Sequence, residues 1–219
     1  MKQELLDKID EFAKDLQKVS SWPNTRNPFG DVGSGQDYYI FEFYCYVKVV
    51  HDLSIHQKVK LVRGAKGYIF PKGPAKKNEG WARFDIYNLQ GQHLYQVCSG
   101  TDIALSKYPE VAFSPDISFQ WADATDEPTE ADVVLIMDAK YKKSGIDFGI
   151  LKEMAEIVRS MEVESASNIE LQFDKLPELK ANCILTNGEV SRKHEGYCRL
   201  RRIRQIGRFG VGQNLVIAG

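Results

Sequence analysis

The sequence predicts an α/β fold in which a mixed central sheet is flanked by helices, and three observations carry that expectation. Residues 117–121 alternate Ile, Ser, Phe, Gln and Trp as a half-buried strand does, and residues 133–137 form a continuous apolar run suited to a strand covered on both faces. A helix over 146–161, with Ile150, Met154, Ile157 and Met161 on one side, leads to another short apolar strand at 182–186, ended by Asn187-Gly188. Strand, helix and strand over that length make a right-handed parallel crossover. An antiparallel pair is expected from 81–87 and 93–98, joined by the turn-forming run 88–92.

Ahead of the strands, residues 4–19 repeat Leu5, Ile9, Phe12 and Leu16 at helical spacing and predict an amphipathic helix. A Pro-, Gly- and Ser-rich loop is expected over 20–35. Residues 38–50 are so apolar, with Glu42 and Lys48 their only charges, that a helix there must be buried nearly all round.

The 219 residues, 43% hydrophobic and 27% charged, suffice for one domain with a sizeable core. We read residues 1–35 as an N-terminal helix and loop, 36–190 as the core, and 191–219 as a basic C-terminal extension. No stretch approaches the roughly 18 apolar residues of a membrane span, and the start alternates charges. A cytoplasmic protein with no membrane partner is expected. Cys45, Cys98, Cys183 and Cys198 form no CxxC pair, so buried free thiols are expected rather than a zinc site. Neither His51 and His56 nor the glycines of 30–35 fit a metal or phosphate-loop spacing, and no GxSxG element supports a nucleophilic hydrolase.

The formal net charge is only -1, yet the cations are segregated. Seven basic and no acidic residues lie between 58 and 77, among them Lys72, Lys76 and Lys77. Seven more, including Arg199, Arg201, Arg202 and Arg204, lie between 189 and 208 against two glutamates. Such runs are commonly solvated faces, but two of them in a near-neutral chain favour contact with a polyanion through its phosphates. The acidic loop 122–132 reads as a solvated hairpin tip, since it lacks the order and glycine of a calcium loop.

Chemistry enters where the two apolar strands meet. If 117–121 and 133–137 pair as a hairpin with Ile117 opposite Met137, then Trp121 faces Val133 and Asp116 faces Asp138. Opposed side chains in such a ribbon have Cβ atoms about 4.5–5.5 Å apart, where like charges repel. A divalent cation that prefers oxygen would neutralise them, with the Ala139 carbonyl as a third oxygen; a shared proton is the alternative. Strand periodicity sets Lys140 on the same face as Asp138. An ordinary ion pair at a solvated strand end is the plainer reading of Asp138 and Lys140, but it leaves the opposed carboxylates unexplained. Glu42 is a further anomaly, because its helical neighbours Tyr38, Tyr39, Cys45, Tyr46 and Val49 cannot neutralise it.

Ser114-Pro115-Asp116, a gap, and then Asp138-Ala139-Lys140 after an apolar strand resembles the PD-(D/E)xK nuclease superfamily, over roughly residues 36–190. The resemblance implies a restriction-endonuclease-like αβββαβ core. It also implies Mg²⁺ (or Mn²⁺) held by Asp116 and Asp138, Lys140 serving catalysis, and Glu42 as the helix-borne glutamate many members add. The run Asp138-Ala139-Lys140-Tyr141-Lys142 is similar to nuclease subunits of modification-dependent restriction and related defence systems. An endonuclease acting on DNA is therefore expected, with Lys142 and Lys143 holding the scissile strand. A double-strand cut would favour a homodimer, and sequence choice would fall to a separate specificity or NTPase subunit. The alternatives are a non-catalytic nucleic-acid-binding or scaffolding subunit, and a branched-DNA resolvase or repair nuclease.

Overall fold

The computed structural model describes residues 2–19, 32, 35–142, 144–161 and 169–219. The first helix, α1 (Lys2–Val19), buries Leu5, Ile9, Phe12, Ala13 and Leu16, the stripe its periodicity predicts. That stripe lies on α2 (Asp37–Leu53), with Phe12 against Tyr44 and, at 4.5 Å between ring centroids, His51. Covered by α1 on one side and the sheet on the other, α2 buries twelve residues, as its all-round apolar composition requires. Its polar groups are used internally. The Tyr46 hydroxyl donates to the Val97 carbonyl at 2.9 Å, and the buried Asp52 carboxylate accepts from the backbone N–H of Asp174 and Lys175.

The strands are β1 (Lys58–Val62), β2 (Arg83–Tyr87), β3 (His93–Ser99), β4 (Ile103–Leu105), β5 (Tyr108–Phe113), β6 (Ile117–Trp121) and β7 (Val133–Lys140). After the helix α3 (Phe148–Ser160) come β8 (Asn182–Thr186), the short helix α4 (Glu195–Leu200), β9 (Ile203–Gly207) and β10 (Val216–Ala218). Eight of them form one mixed sheet in the order β1-β2-β3-β6-β7-β8-β9-β10, while β4 and β5 make a separate ribbon. Neighbours from β1 to β7 are antiparallel, β7, β8 and β9 run parallel, and β10 closes the edge antiparallel. The parallel step through α3 is the predicted crossover.

Two stretches read from sequence as charged segments are strands. In β1 the exposed Lys58 and Lys60 alternate with buried Val59 and Leu61, so the start of the expected basic arm is a sheet-edge strand. The C-terminal stretch expected as an extension supplies β9 and β10 to the same sheet. In β1 the count of cations masks a period-two apolar pattern.

Apolar residues divide between the two faces of the sheet. Leu135, Met137 and Ala139 of β7 join the α1/α2 side, whereas Val133 and Ile136 join Leu151 and Met154 of α3. All four cysteines are buried free thiols. Among the described residues, no helix is long and apolar enough to cross a membrane.

Candidate active site

The β6–β7 ribbon sets the geometry. Ile117 pairs with Met137, the register supposed from sequence, and carried one step further it sets Asp116 opposite Asp138. At the far end the register differs from expectation. A bulge at Phe119/Gln120 brings Gln120, not Trp121, opposite Val133, so the slip is confined to the end away from the carboxylates. Asp138 and Lys140 lie on one side of β7, at the C-terminal end of the parallel strands.

Here the two acids are close neighbours, and Asp116 accepts the Ala139 backbone N–H at 2.6 Å. Burial, then the charge of Asp138, pushes the Asp116 carboxyl well above the usual carboxylate range, with Glu42 adding to the effect. Asp138 also pairs with the Lys140 ammonium at 2.6 Å. Burial opposes that ammonium's charge, but the carboxylates of Asp138 and Asp116 outweigh it, so Lys140 sits above its ordinary value and is protonated at neutral pH.

Glu42, on α2, lies within electrostatic range of this cluster. Burial raises its carboxyl from 4.5 to about 7, partly offset by the Lys140 charge and reinforced by Asp138. Among the described residues, no three His, Cys, Asp or Glu side chains are grouped closely enough to hold a metal ion by themselves. Two facing carboxylates nonetheless fit Mg²⁺, which is commonly held through one or two carboxylates with water and substrate oxygens completing the shell. Glu42 and the Ala139 carbonyl are the further oxygens this end of the sheet offers.

The raised acids make stability depend on pH. The folded protein retains protons that the unfolded chain releases near 4.5, so stability falls as pH rises from there to about 7 for Glu42, and the Asp116 contribution acts in the same direction. We expect the melting temperature to decline over that window. Added Mg²⁺ should raise it more at pH 8 than at pH 5, which differential scanning calorimetry would register; a cation effect equal at both pH values would count against the carboxylate cluster as its site.

The expected phosphate contacts fare unequally. The loop bearing Lys72 and Lys76, both exposed, is tied to the site: Ala75 donates to the Gly100 carbonyl, and Gly100 donates to that of Asp116. Gly100 has a φ of +55°, and a Cβ on it would stand 2.9 Å from the Gly73 carbonyl, so glycine is required for this approach. Lys77 is a correction. It is 8% exposed, and its ammonium donates to Gln120 Oε1 (2.9 Å) and the carbonyls of Ala124 (3.1 Å) and Thr125 (2.7 Å). It pins the base of the acidic loop instead of meeting a phosphate. Replacing Lys77 by Met should cost about 2–3 kcal/mol, since two buried acceptors and one part-buried acceptor lose their donor, and urea unfolding would measure it.

Arg199, Arg201, Arg202 and Arg204 are also displaced from the expected place. Arg201 and Arg202 immediately precede Ile203, which pairs with Asn182 at the start of β8, so they lie at the end of the parallel strands opposite Asp138 and Lys140. They line, with Arg159, a cleft of about 530 Å³ that contains none of the carboxylates discussed above. Spacing in sequence could not show which end of a strand they would occupy. Lys142 is at the carboxylate end, its ammonium paired with Asp147 and its N–H donating to Asn187 Oδ1 at 2.7 Å. Lys143 lies outside the described residues. Missed from sequence was Gly188, where a Cβ would stand 2.4 Å from the Lys142 carbonyl; its freedom from a side chain lets the segment after Lys140 pack down.

The chain matches no family model, no curated protein and no solved structure.

Proposed function

We propose that this protein is a Mg²⁺-dependent endonuclease hydrolysing phosphodiester bonds, most directly in DNA, on a restriction-endonuclease-like core. The observation that carries the reading is the register that brings Asp116 and Asp138 together at one strand end, with the Lys140 ammonium on Asp138. Two neighbouring acids whose ionisation is disfavoured by burial, beside a retained cation, are what a site for a hard ion and a phosphate needs.

Asp116 and Asp138 would hold the cation, with Glu42 contributing a third negative charge from α2. When bound, a divalent cation supplies Lewis-acid polarisation of a phosphoryl oxygen and lowers the pKa of a bound water. Lys140 remains protonated, so its role is to orient the attacking water and to stabilise charge developing on the phosphate, not to act as a base. The exposed Lys72 and Lys76 flank the Asp116 side and Lys142 the opposite side, a span along which a backbone could run. Anti-phage defence is the biological setting that the resemblance favours.

A non-catalytic nucleic-acid-binding subunit is the second reading, favoured by the absence of a preformed three-ligand group among the described residues. Incubating supercoiled plasmid with the protein and Mg²⁺ or Mn²⁺, beside an Asp138→Ala control, separates the two. Nicking or linearisation that EDTA and the substitution both abolish supports the enzyme. Tight plasmid binding with no cleavage in either cation selects the binding subunit.

A further inference from the structure

Phe148 opens α3 immediately after Asp147, the partner of Lys142, and is 40% exposed although it is a large apolar residue. Its ring is stacked on His194 at 4.6 Å with 28° between planes, and meets Tyr197 edge-on at 5.0 Å. His194 is held in turn by Ser191, whose Oγ lies 3.0 Å from its Nδ1. Cations flank this aromatic group: Lys152 sits 5.8 Å from the Phe148 ring centre, and Arg192 and Lys193 are exposed on the turn that carries His194. Phe148 follows β7 as Lys142 does, and the turn that carries His194 follows β8, so the group stands at the C-terminal ends of those strands, where β7 ends in Lys140.

An exposed ring fixed by two aromatic neighbours and flanked by ammonium and guanidinium groups is ill suited to a protein core. Aromatic faces with interleaved cations are how proteins hold single-stranded nucleic acid, because every base has a π face to stack and every nucleotide a phosphate. A duplex keeps its bases stacked on one another and offers this ring nothing. We infer that Phe148, supported by His194 and Tyr197, is a stacking platform for an unpaired base of the substrate strand. The protein therefore engages nucleic acid with single-stranded character next to the cut. This inference deepens the nuclease reading and rests on it for the identity of the substrate.

The test is binding in EDTA, without cleavage, by fluorescence anisotropy. The probes are a single-stranded oligodeoxynucleotide about 15 nucleotides long and a blunt duplex of the same sequence. Phe148→Ala should weaken single-strand binding about 10-fold or more, Phe148→Trp should preserve it, and duplex affinity should be unaffected by either. Phe148→Leu, which keeps apolar bulk against His194 and Tyr197, should behave as Ala does at an unchanged melting temperature. Single-strand affinity at the wild-type level in Phe148→Leu, equal losses on both probes, or a wild type that binds single strands no tighter than duplex would each overturn the platform. The two readings fail separately: a wild type that prefers single strands through Phe148 yet never cleaves defeats the nuclease alone, while cleavage with an indifferent Phe148 defeats only the platform.

Discussion

An Asp116→Asn variant is expected to lose cleavage on the order of 10²–10³-fold while melting at a higher temperature than the wild type at pH 8. The amide can still accept the Ala139 N–H, so the strand end keeps its geometry, but the ionisation that burial, Asp138 and Glu42 disfavour is gone. Asp138→Asn should lose cleavage to a similar degree with the opposite effect on stability, because Lys140 is left half-buried without its carboxylate. The pair of variants therefore discriminates. Side chains that merely structured the strand end would give losses of stability in both. Plasmid nicking rates and melting curves on the two proteins make the comparison, and an Asp116→Asn protein that nicks at the wild-type rate would remove this residue from the site.

The largest loss of stability is expected from Phe119→Ala, about 3–5 kcal/mol. Phe119 is fully buried in β6, pairs with Val97 on one side and Leu135 on the other, and meets Phe173 edge-on at 6.5 Å. Truncation would open a cavity between strands that cannot collapse without shifting the ladder. Because small domains are stable by only about 5–15 kcal/mol, the variant should show a markedly lower urea midpoint. Since Phe119 belongs to the same ribbon as Asp116, cleavage below the new transition should also drop, whereas Lys77→Met, at the far end of that ribbon, should spare it.

The order of helices and strands along the ribbon and crossover was legible because each has its own period. Leu5, Ile9, Phe12 and Leu16 recur at helical spacing and the 133–137 run is apolar throughout, so local pattern and fold agree there. β6 reads as half-buried from its alternation, yet Ile117, Ser118, Phe119 and Gln120 are all buried, because the sheet is covered on both faces. The supposed pairing of Ile117 with Met137 is the one the ribbon adopts, and with it Asp116 comes opposite Asp138. β1 was hidden because Lys58 and Lys60 occupy its exposed positions, and β9 because it is short and flanked by arginines.

The sequence by itself determined that two acids and a lysine would share one end of a ribbon, since strand periodicity and register are local properties. Only the tertiary structure decided what surrounds them. That Glu42 on α2 comes within electrostatic range of them, that Lys77 is turned inward to three carbonyl and amide oxygens, and that the arginines of 199–204 stand at the other end of the parallel strands depend on how helices and crossovers pack. Those placements are set by contacts between residues far apart in the chain, for which a charge count carries no direction.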